Sequence, residues 1–511
     1  MKTTMSKTAV QDLQNIKRGP ILVALLIGAF VALLNQTLLN VALPTMAKDL
    51  NVETTVIQWL STGFMLVNGV MVPVTAYLMA RFTTRKLFIT AMSLFTLGTL
   101  LCAFSNTFDV LLVGRMVQAA GAGILMPLMT FTILTIFPIE KRGSAMGLIG
   151  VAMIFAPAIG PTLSGWMVEH YNWHYLFYLI LPFGVLSIFL GVMFMRNVTE
   201  TSRPKLDILA VIMSTIGFGG VLYGFSQAGT EGWGATEVVW TLAIGAVALL
   251  MFVIRELRSD NPILEMRVFK YDVFSLTTII NVIATMALFS GMILLPLYLQ
   301  NVRGFTPVES GLMLLPGAIL MGIMSPITGY IFDKIGARWL AVVGLAIMTV
   351  TTYEFSQLTI DTTYGHLIAV YTIRMFGMSL MMMPIQTAGL NQLPARLNAH
   401  GTAMSNTLRT IAGALGTALL VSIMSSKAKE VGKELIMSRG INPQDAAQAG
   451  QLKAATLEAM VQGINHSFVI ATWMTAAAFV LAFFIKRVIV KREAPAHKVQ
   501  TTAAENMNAK A

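Results

Sequence analysis

The sequence predicts an all-α polytopic membrane protein of fourteen transmembrane helices, arranged as two six-helix bundles plus an inserted two-helix hairpin. Three observations predict it. Apolar stretches of about twenty residues recur along the chain, separated by short basic connections. Of its 511 residues, 56% are hydrophobic and only 12% charged, against roughly 25% charged in soluble proteins, and the mean hydropathy is +0.72. An internal repeat divides the chain into two like halves with a pair of spans left over.

A bilayer's hydrocarbon core requires about 20 apolar helical residues per crossing. Backbone N–H and C=O groups inside it must be satisfied within the segment, so helix is the default. On that basis, spans are predicted near 21–43, 58–80, 87–106, 110–134, 143–168, 174–195, 207–228, 237–255, 274–299, 310–332, 339–359, 364–386, 404–425 and 467–488. Residues 1–20 are polar and carry Lys2, Lys7, Lys17 and Arg18. The apolar run after them is too long for a cleaved signal peptide and lacks a small-residue cleavage site, so it is expected to be retained as span one. The charged connection 256–273 is expected to lie along the membrane surface. Loop 426–465, which mixes Ala, Lys and Glu with spaced apolar residues, suggests an external amphipathic helical hairpin, and the tail after Arg492 reads as disordered.

The formal net charge of +11 is a topology signal rather than a nucleic-acid footprint. With a cytoplasmic N-terminus, 25 of the 35 Lys and Arg fall on the cytoplasmic side and seven outside. The remaining three, Arg115, Arg374 and Arg409, fall within spans. The external basic residues are mostly in loop 426–465, where the positive-inside bias is weakest. An even number of spans then places both termini in the cytoplasm. Cys102 is the only cysteine, which excludes an internal disulfide and a multi-cysteine metal site.

Two passages match at an offset of 253 residues: Ala76-Tyr77-Leu78-Met79-Ala80-Arg81-Phe82-Thr83-Thr84-Arg85 and Gly329-Tyr330-Ile331-Phe332-Asp333-Lys334-Ile335-Gly336-Ala337-Arg338. A second echo pairs Arg115-Met116 with Arg374-Met375, each followed by a proline, Pro127 or Pro384. Parallel six-span repeats build one large class of secondary transporters. The expected organisation is a cytoplasmic segment 1–20, an N-terminal bundle 21–200, a hairpin 201–260, a C-terminal bundle 261–490 that includes loop 426–465, and a cytoplasmic tail 491–511.

Four passages carry chemistry. In Gly329-x-x-x-Asp333-Lys334-x-Gly336-x-Arg338, the glycines let helix ends approach, and Asp333 can accept hydrogen bonds from the start of the next helix, where the dipole favours an anion. The alternative is a tight turn carrying topogenic charge. The N-half copy keeps Arg81, Arg85 and Lys86 but has Ala80 in place of the acid. In span five, Gly160-Pro161-Thr162-Leu163-Ser164-Gly165 combines a kinking proline with small residues that permit close packing. In span four, Arg115-x-x-Gln118 places a charge in the membrane, which costs at least about 2.5–3.5 kcal/mol and needs a cavity or partner. Asp109 lies roughly 240° around that helix, so Arg115 must bond across to another helix or to carbonyls. In span one, Asn35, Gln36 and Asn40 are costly unless they face a pathway or bond neighbouring helices.

Together these passages resemble the major facilitator superfamily, specifically its fourteen-span drug:proton antiporter branch, over about residues 20–490. Segments around Pro262–Phe269, Tyr298 and Gln58-Trp59 agree with that branch. The resemblance implies the major facilitator fold and a latch at Asp333, Lys334, Gly336 and Arg338 that favours the outward-open state. It implies an antiporter hinge and seal at Gly160, Pro161 and Gly165, and a proton-relay role for Arg115, with a structural tie as the alternative. Asn35 stands where many relatives carry an aspartate, so their proton carrier is absent.

Among the 24 acidic residues, only Glu354 lies clearly within an apolar run, and desolvation would make it proton-competent. Asp109, Asp207 and Asp333 sit at span ends, and His466 is a weaker candidate. The substrate cavity is expected to include Asn35, Gln36, Asn40, Gln118, Tyr298 and Met382, walled by spans one, four, five, nine, ten and twelve. The 35 Met and 28 Phe suit a repacking, polyspecific site, and the shortage of buried acids points to amphipathic, weakly charged or neutral compounds. No spacing suggests a P-loop, metal cluster or nucleophile triad. The expected protein is therefore not an enzyme, needs no cofactor and works as a monomer in a bacterial cytoplasmic membrane, its partners being small molecules, protons and lipid. It would export varied toxic compounds by proton-coupled alternating access. The rival readings are a lipid or lipid-linked metabolite exporter on the same scaffold and a non-transporting membrane scaffold or sensor.

Overall fold

Helix formation dominates the chain, as the apolar periods require. A computed structural model describes residues 18–198, 201, 207–260, 262–442 and 448–486. The expectations for residues 1–17 and for the tail 491–511 lie outside the described residues. Among the described residues, fourteen helices are long and apolar enough to cross a membrane. They are α1 (Arg18–Asp49), α2 (Trp59–Arg81), α3 (Thr84–Ala103), α4 (Phe108–Ile136), α5 (Arg142–His170), α6 (His174–Phe194) and α7 (Ile208–Glu231). The remainder are α8 (Thr236–Arg258), α9 (Asp272–Leu297), α10 (Pro307–Ile335), α11 (Ala337–Glu354), α12 (Tyr364–Gln392), α13 (Asn398–Ser438) and α14 (Ala449–Ala482). Local chemistry sets several starts. Asp207 caps α7 by accepting the Ala210 N–H at 3.1 Å, and Thr306 and Glu309 form a reciprocal capping box on α10 with Pro307 at its first turn.

Two packing sets repeat. Within α1–α6, α1 packs on α5 and α6, α2 on α4, and α3 on α4 and α6; α9–α14 repeat each of these pairs in the same order. The bundles meet at two seams that are equivalent under the repeat but differ in character. Along one seam α5 lies directly on α10; along the other, α2 and α13 touch and α7 of the inserted hairpin packs against both. Because successive helices alternate in direction, α1 begins and α14 ends at the same end of the bundle, here called the terminal end.

Both arms of region 426–465 are helical, α13 running to Ser438 and α14 starting at Ala449, so the expected helical pair forms as extensions of these two long helices. The connection after α8 does not merely lie on a surface. Ile263, Leu264 and Val268 are buried in a cluster with Phe252 of α8 and Leu393. The buried Glu256 carboxylate accepts the Leu264 N–H at 3.0 Å, which anchors the segment.

Small residues decide how closely helices approach inside lipid, where apolar burial gives no drive between them. A Cβ on Gly98 of α3 would lie 2.5 Å from the Gln118 backbone nitrogen and 2.6 Å from the Gly114 carbonyl oxygen of α4. Overpacking of this kind costs about 1–3 kcal/mol. Gly98→Ala is expected to lower the thermal unfolding midpoint of the detergent-solubilised protein. Gly19→Ala, facing open space, should leave it unchanged; equal midpoints would refute the close-packing argument.

Candidate transport site

The bundles are joined by hydrogen bonds at and toward the terminal end. Asp333, near the end of α10, accepts the Gly143 N–H at 2.7 Å, the Ser144 N–H at 2.9 Å and the Ser144 hydroxyl at 2.6 Å. These donors form the first turn of α5, so the carboxylate meets both the helix dipole and otherwise unpaired N–H groups. The expectation that Asp333 binds the next helix is corrected: its partner helix belongs to the other bundle. The contact is possible because Gly143 and Gly329 face each other backbone to backbone, with no room for a Cβ on either. Gly336 then turns the chain at φ +85°, a region that favours glycine. Lys334 and Arg338 are exposed, the former over the Tyr330 ring and the latter over Trp339. Beside this contact Arg142 donates to the Asn391 side chain at 2.9 Å, and farther in Ser325 donates to the Gly147 carbonyl at 2.9 Å. At the N-half copy, Arg85 donates to the Val192 carbonyl at 2.6 Å within its own bundle, and Arg81 is exposed.

The span-five small residues fit α5 between two neighbours. A Cβ on Gly160 would strike Thr37 of α1, and one on Gly150 would strike Ser325 of α10. Gly165 meets only Val308, at 3.8 Å. The Ser164 hydroxyl donates to the Leu38 carbonyl, and Thr37 donates to the Leu34 and Ala156 carbonyls. The side chains of Asn40 and Pro161 are outside the described set.

Arg115 is 1% exposed and bonded within its bundle. Its Nε donates to the Leu60 carbonyl at 3.4 Å, its Nη1 to the Gln118 side chain at 2.9 Å, and its guanidinium lies 4.2 Å from the Phe64 ring centroid. Gln118 in turn donates to Thr99 at 2.7 Å. This is the cross-helix bonding that the isolated charge demands. It directs Arg115 and Gln118 toward α2 and α3, so Gln118, with no exposure, does not line an open cavity. Arg374 is the buried counterpart on α12, donating to the Ala287 carbonyl at 2.7 Å and to Ser290 of α9.

The other expected positions fall as follows. Asn35 is 3% exposed, with an amide nitrogen lacking a partner among the described residues. Gln36 lies on the partly exposed stripe of α1 with Phe30 and Leu33. Tyr298 is buried at the far end, its hydroxyl donating to the Thr359 carbonyl at 2.6 Å. Met382 is buried in the core. Asp109 is exposed in the first turn of α4. Glu354 ends α11 with its side chain 47% exposed and His366 3.4 Å away. His466 is exposed beside a far-end crevice of about 400 Å³, which Trp233, Ile423 and Lys427 also line.

Sequence reasoning gave no role to Arg409 and omitted helix thirteen from the cavity wall. Arg409 is partly exposed on α13. It donates to the Asn406 side chain at 3.3 Å and reaches the Met153 sulfur of α5, in the opposite bundle, at 3.7 Å. A narrow polar niche on its own bundle is lined by Asn281 of α9, Gln386 of α12 and Ser405 of α13. The usable sequence signal was the intramembrane charge itself.

Two repeated six-helix bundles joined at two seams, one of them fastened by Asp333, have the plan of a polytopic membrane transporter. The family model described as Major Facilitator Superfamily matches residues 25–417. The chain belongs to that superfamily, in the fourteen-span branch known for its drug:proton antiporters. It is 49% identical over 493 residues to the uncharacterized MFS-type transporter YhcA of Bacillus subtilis (strain 168), covering 92% of this chain and 93% of YhcA. It is 46% identical over 486 residues to the lincomycin resistance protein LmrB of the same organism, covering 95% and 99%. The fold matches the crystal structure of the human organic anion transporter MFSD10 with a TM-score of 0.62 at 13% identity, over 91% of this chain and 99% of that one.

Two expectations test this geometry. Asp333→Asn removes a charge-assisted contact worth roughly 1.5–3 kcal/mol. It should speed alkylation of a Met383→Cys reporter, with buried Cys102 as the internal control, by about tenfold; an unchanged rate would show that the contact does not hold the terminal end closed. Glu354→Gln should leave the pH profile of transport within about twofold of wild type, and a lost pH dependence would reinstate Glu354 as a proton carrier.

Proposed function

We propose that the protein exports structurally varied amphipathic compounds from a bacterial cell by alternating access, as a monomer in the cytoplasmic membrane. Both termini face the cytoplasm, and the proton-motive force supplies the energy. The observation that carries this reading is the hydrogen-bonded closure by Asp333 on Gly143 and Ser144. A charged contact that joins two repeated bundles at one end is the element a two-state carrier must make and break. The excess of basic residues around that end supports a cytoplasmic assignment, so the closed end is the inner gate and the conformation is outward-facing. The name of LmrB supports an antibiotic among the exported compounds. Asp333, Gly336, Gly160 and Gly165 act in gating and packing, Lys334, Arg338, Arg81 and Arg85 in inner-face charge, and Arg115 as a structural tie; Gln36 faces the transport pathway.

Expression in a pump-deficient bacterium should raise the lincomycin concentration needed to stop growth by at least about fourfold, and an uncoupler should restore accumulation of labelled lincomycin. Failure across lincomycin and a panel of amphipathic dyes, with the protein present in the membrane, would overturn the reading. Uptake of labelled lipid by inverted vesicles in its place would favour a lipid exporter.

A further inference from the structure

The crevice of about 400 Å³ at the far end belongs neither to the α5–α10 seam nor to the Asp333 contact. α7 and α14 both pack on α13 but not on one another along their lengths, and the crevice lies in the gap between them. One stripe of α13 floors it: Leu419, Ser422, Ile423, Ser426, Lys427 and Glu430, recurring every three or four residues. Trp233, in the turn between α7 and α8, forms one wall, and His466 of α14 the other. The Trp233 ring lies 6.1 Å from that of Phe225 and packs on the buried cluster of Ala228, Val238 and Ala418. Ser467, next to His466, donates to the Leu420 carbonyl at 2.9 Å, which fixes α14 against the floor.

Its depth is equally specific. α13 starts at Asn398, which puts Leu419 about 32 Å and Glu430 about 48 Å from the terminal end of the helix. A hydrocarbon core of about 30 Å, or about 40–45 Å with its headgroup layers, then has the stripe running from the edge of the core through the far-side headgroup layer. Polarity follows that course. Leu419 and Ile423 lie deepest with Ser422 between them, Ser426 follows, and Lys427 and Glu430 form the rim. Trp233 suits this level, where an amphipathic ring is favoured. At the rim Lys427 donates to Glu430 at 3.0 Å, with side chains 34% and 56% exposed, so one positive and one negative charge stand side by side.

We propose that this crevice binds a phospholipid of the far-side leaflet whose headgroup carries both a phosphate and a primary ammonium. The phosphate oxygens accept from Lys427 and from the Ser422 and Ser426 hydroxyls, and the ammonium donates to Glu430. An acyl chain lies along Leu419 and Ile423 against Trp233. Charge complementarity selects this occupant. A zwitterion exchanges the Lys427–Glu430 pair for two charge-assisted pairs of its own, and an exposed ion pair contributes too little to resist. An anionic headgroup would instead face the Glu430 carboxylate unpaired, and a quaternary ammonium offers that carboxylate no N–H donor. The bound lipid ties the inserted hairpin to α14, two elements that share no packing along their lengths.

The test uses the full chain in phosphatidylcholine nanodiscs and the fluorescence of Trp233, read as each protein minus its own Trp233→Phe form. Brominated acyl chains quench an indole they touch. Brominated phosphatidylethanolamine should half-quench Trp233 at a mole fraction at least about fivefold below that needed with brominated phosphatidylcholine or phosphatidylglycerol. Glu430→Gln should bring the ethanolamine and choline lipids to within about twofold of each other. Glu434→Gln, which removes the same charge one turn beyond the crevice, should leave their difference intact. Equal mole fractions for all three lipids in wild type overturn the proposal even if no variant folds, because they describe an unselective lipid surface. So does a preference for phosphatidylglycerol, or one that Glu430→Gln leaves untouched or Glu434→Gln abolishes equally. Trp233 quenched by no lipid but altered by added lincomycin also overturns it and gives the crevice to an exported compound. The export reading stands or falls on resistance and accumulation, which none of these lipid results measures.

Discussion

The meeting of α5 with α10 is the constraint on which the rest of the molecule depends. In lipid, helices gain little from apolar burial against one another, so close packing and interhelical hydrogen bonds must hold them. Gly143, Gly147 and Gly150 bring the α5 backbone against Gly329 and Ser325, and Asp333 then reaches the N–H groups that begin α5. Each part needs the others: a side chain at position 143 or 329 would move the carboxylate out of reach. The same helix uses Gly160 on another face to hold α1 through Thr37. α5 thus couples a helix of its own bundle to a helix of the other.

The second seam is built differently, and that asymmetry separates this chain from a plain pair of six-helix repeats. α7 of the hairpin packs against both α2 and α13, with the Trp59 and Tyr223 rings stacked at 5.6 Å. Asp207 also pairs with Arg255 at 2.7 Å, which joins the hairpin's two ends. The Arg255 guanidinium, aided by the Ala210 N–H, holds the Asp207 carboxyl below the usual carboxylate range. Glu256 anchors the following connection beneath α8. The hairpin is therefore fastened at its base and inserted along its length, so movement between the bundles at this seam involves α7.

Charge inside the membrane is one-sided. Arg115, Arg374 and Arg409 occupy described interior positions, whereas Asp109, Asp333 and Glu354 sit toward helix ends, paired or exposed. Two of the arginines act as rivets within a bundle. The repeat places Arg115 and Arg374 equivalently, yet they fasten to different neighbours, α2 in one half and α9 in the other. Equivalent sequence positions therefore do not guarantee equivalent contacts: a guanidinium takes whichever carbonyl its local packing leaves open.

Length and hydropathy alone determined the fourteen crossings, since the bilayer sets the period and the backbone must satisfy itself within each one. The repeat around Asp333 and the unpaired hairpin segments made the two-bundle plan legible, and the passages around Gly160 and Arg115 marked helices that pack closely. Orientation around each helix was not legible, because a span apolar on every side has no moment to show which residue faces lipid, a neighbour or a central space. Glu354 thus lies in an apolar run yet ends its helix partly exposed, Gln118 and Tyr298 were expected at the cavity and are buried and bonded, and the reach of Arg409 to Met153 of α5 was not legible. Asp333 shows the same division: its acidity at a helix end was written in the sequence, but its partner, 190 residues away, could be supplied only by the docking of the two bundles, because hydrogen-bond geometry between distant segments exists only once the backbones are packed.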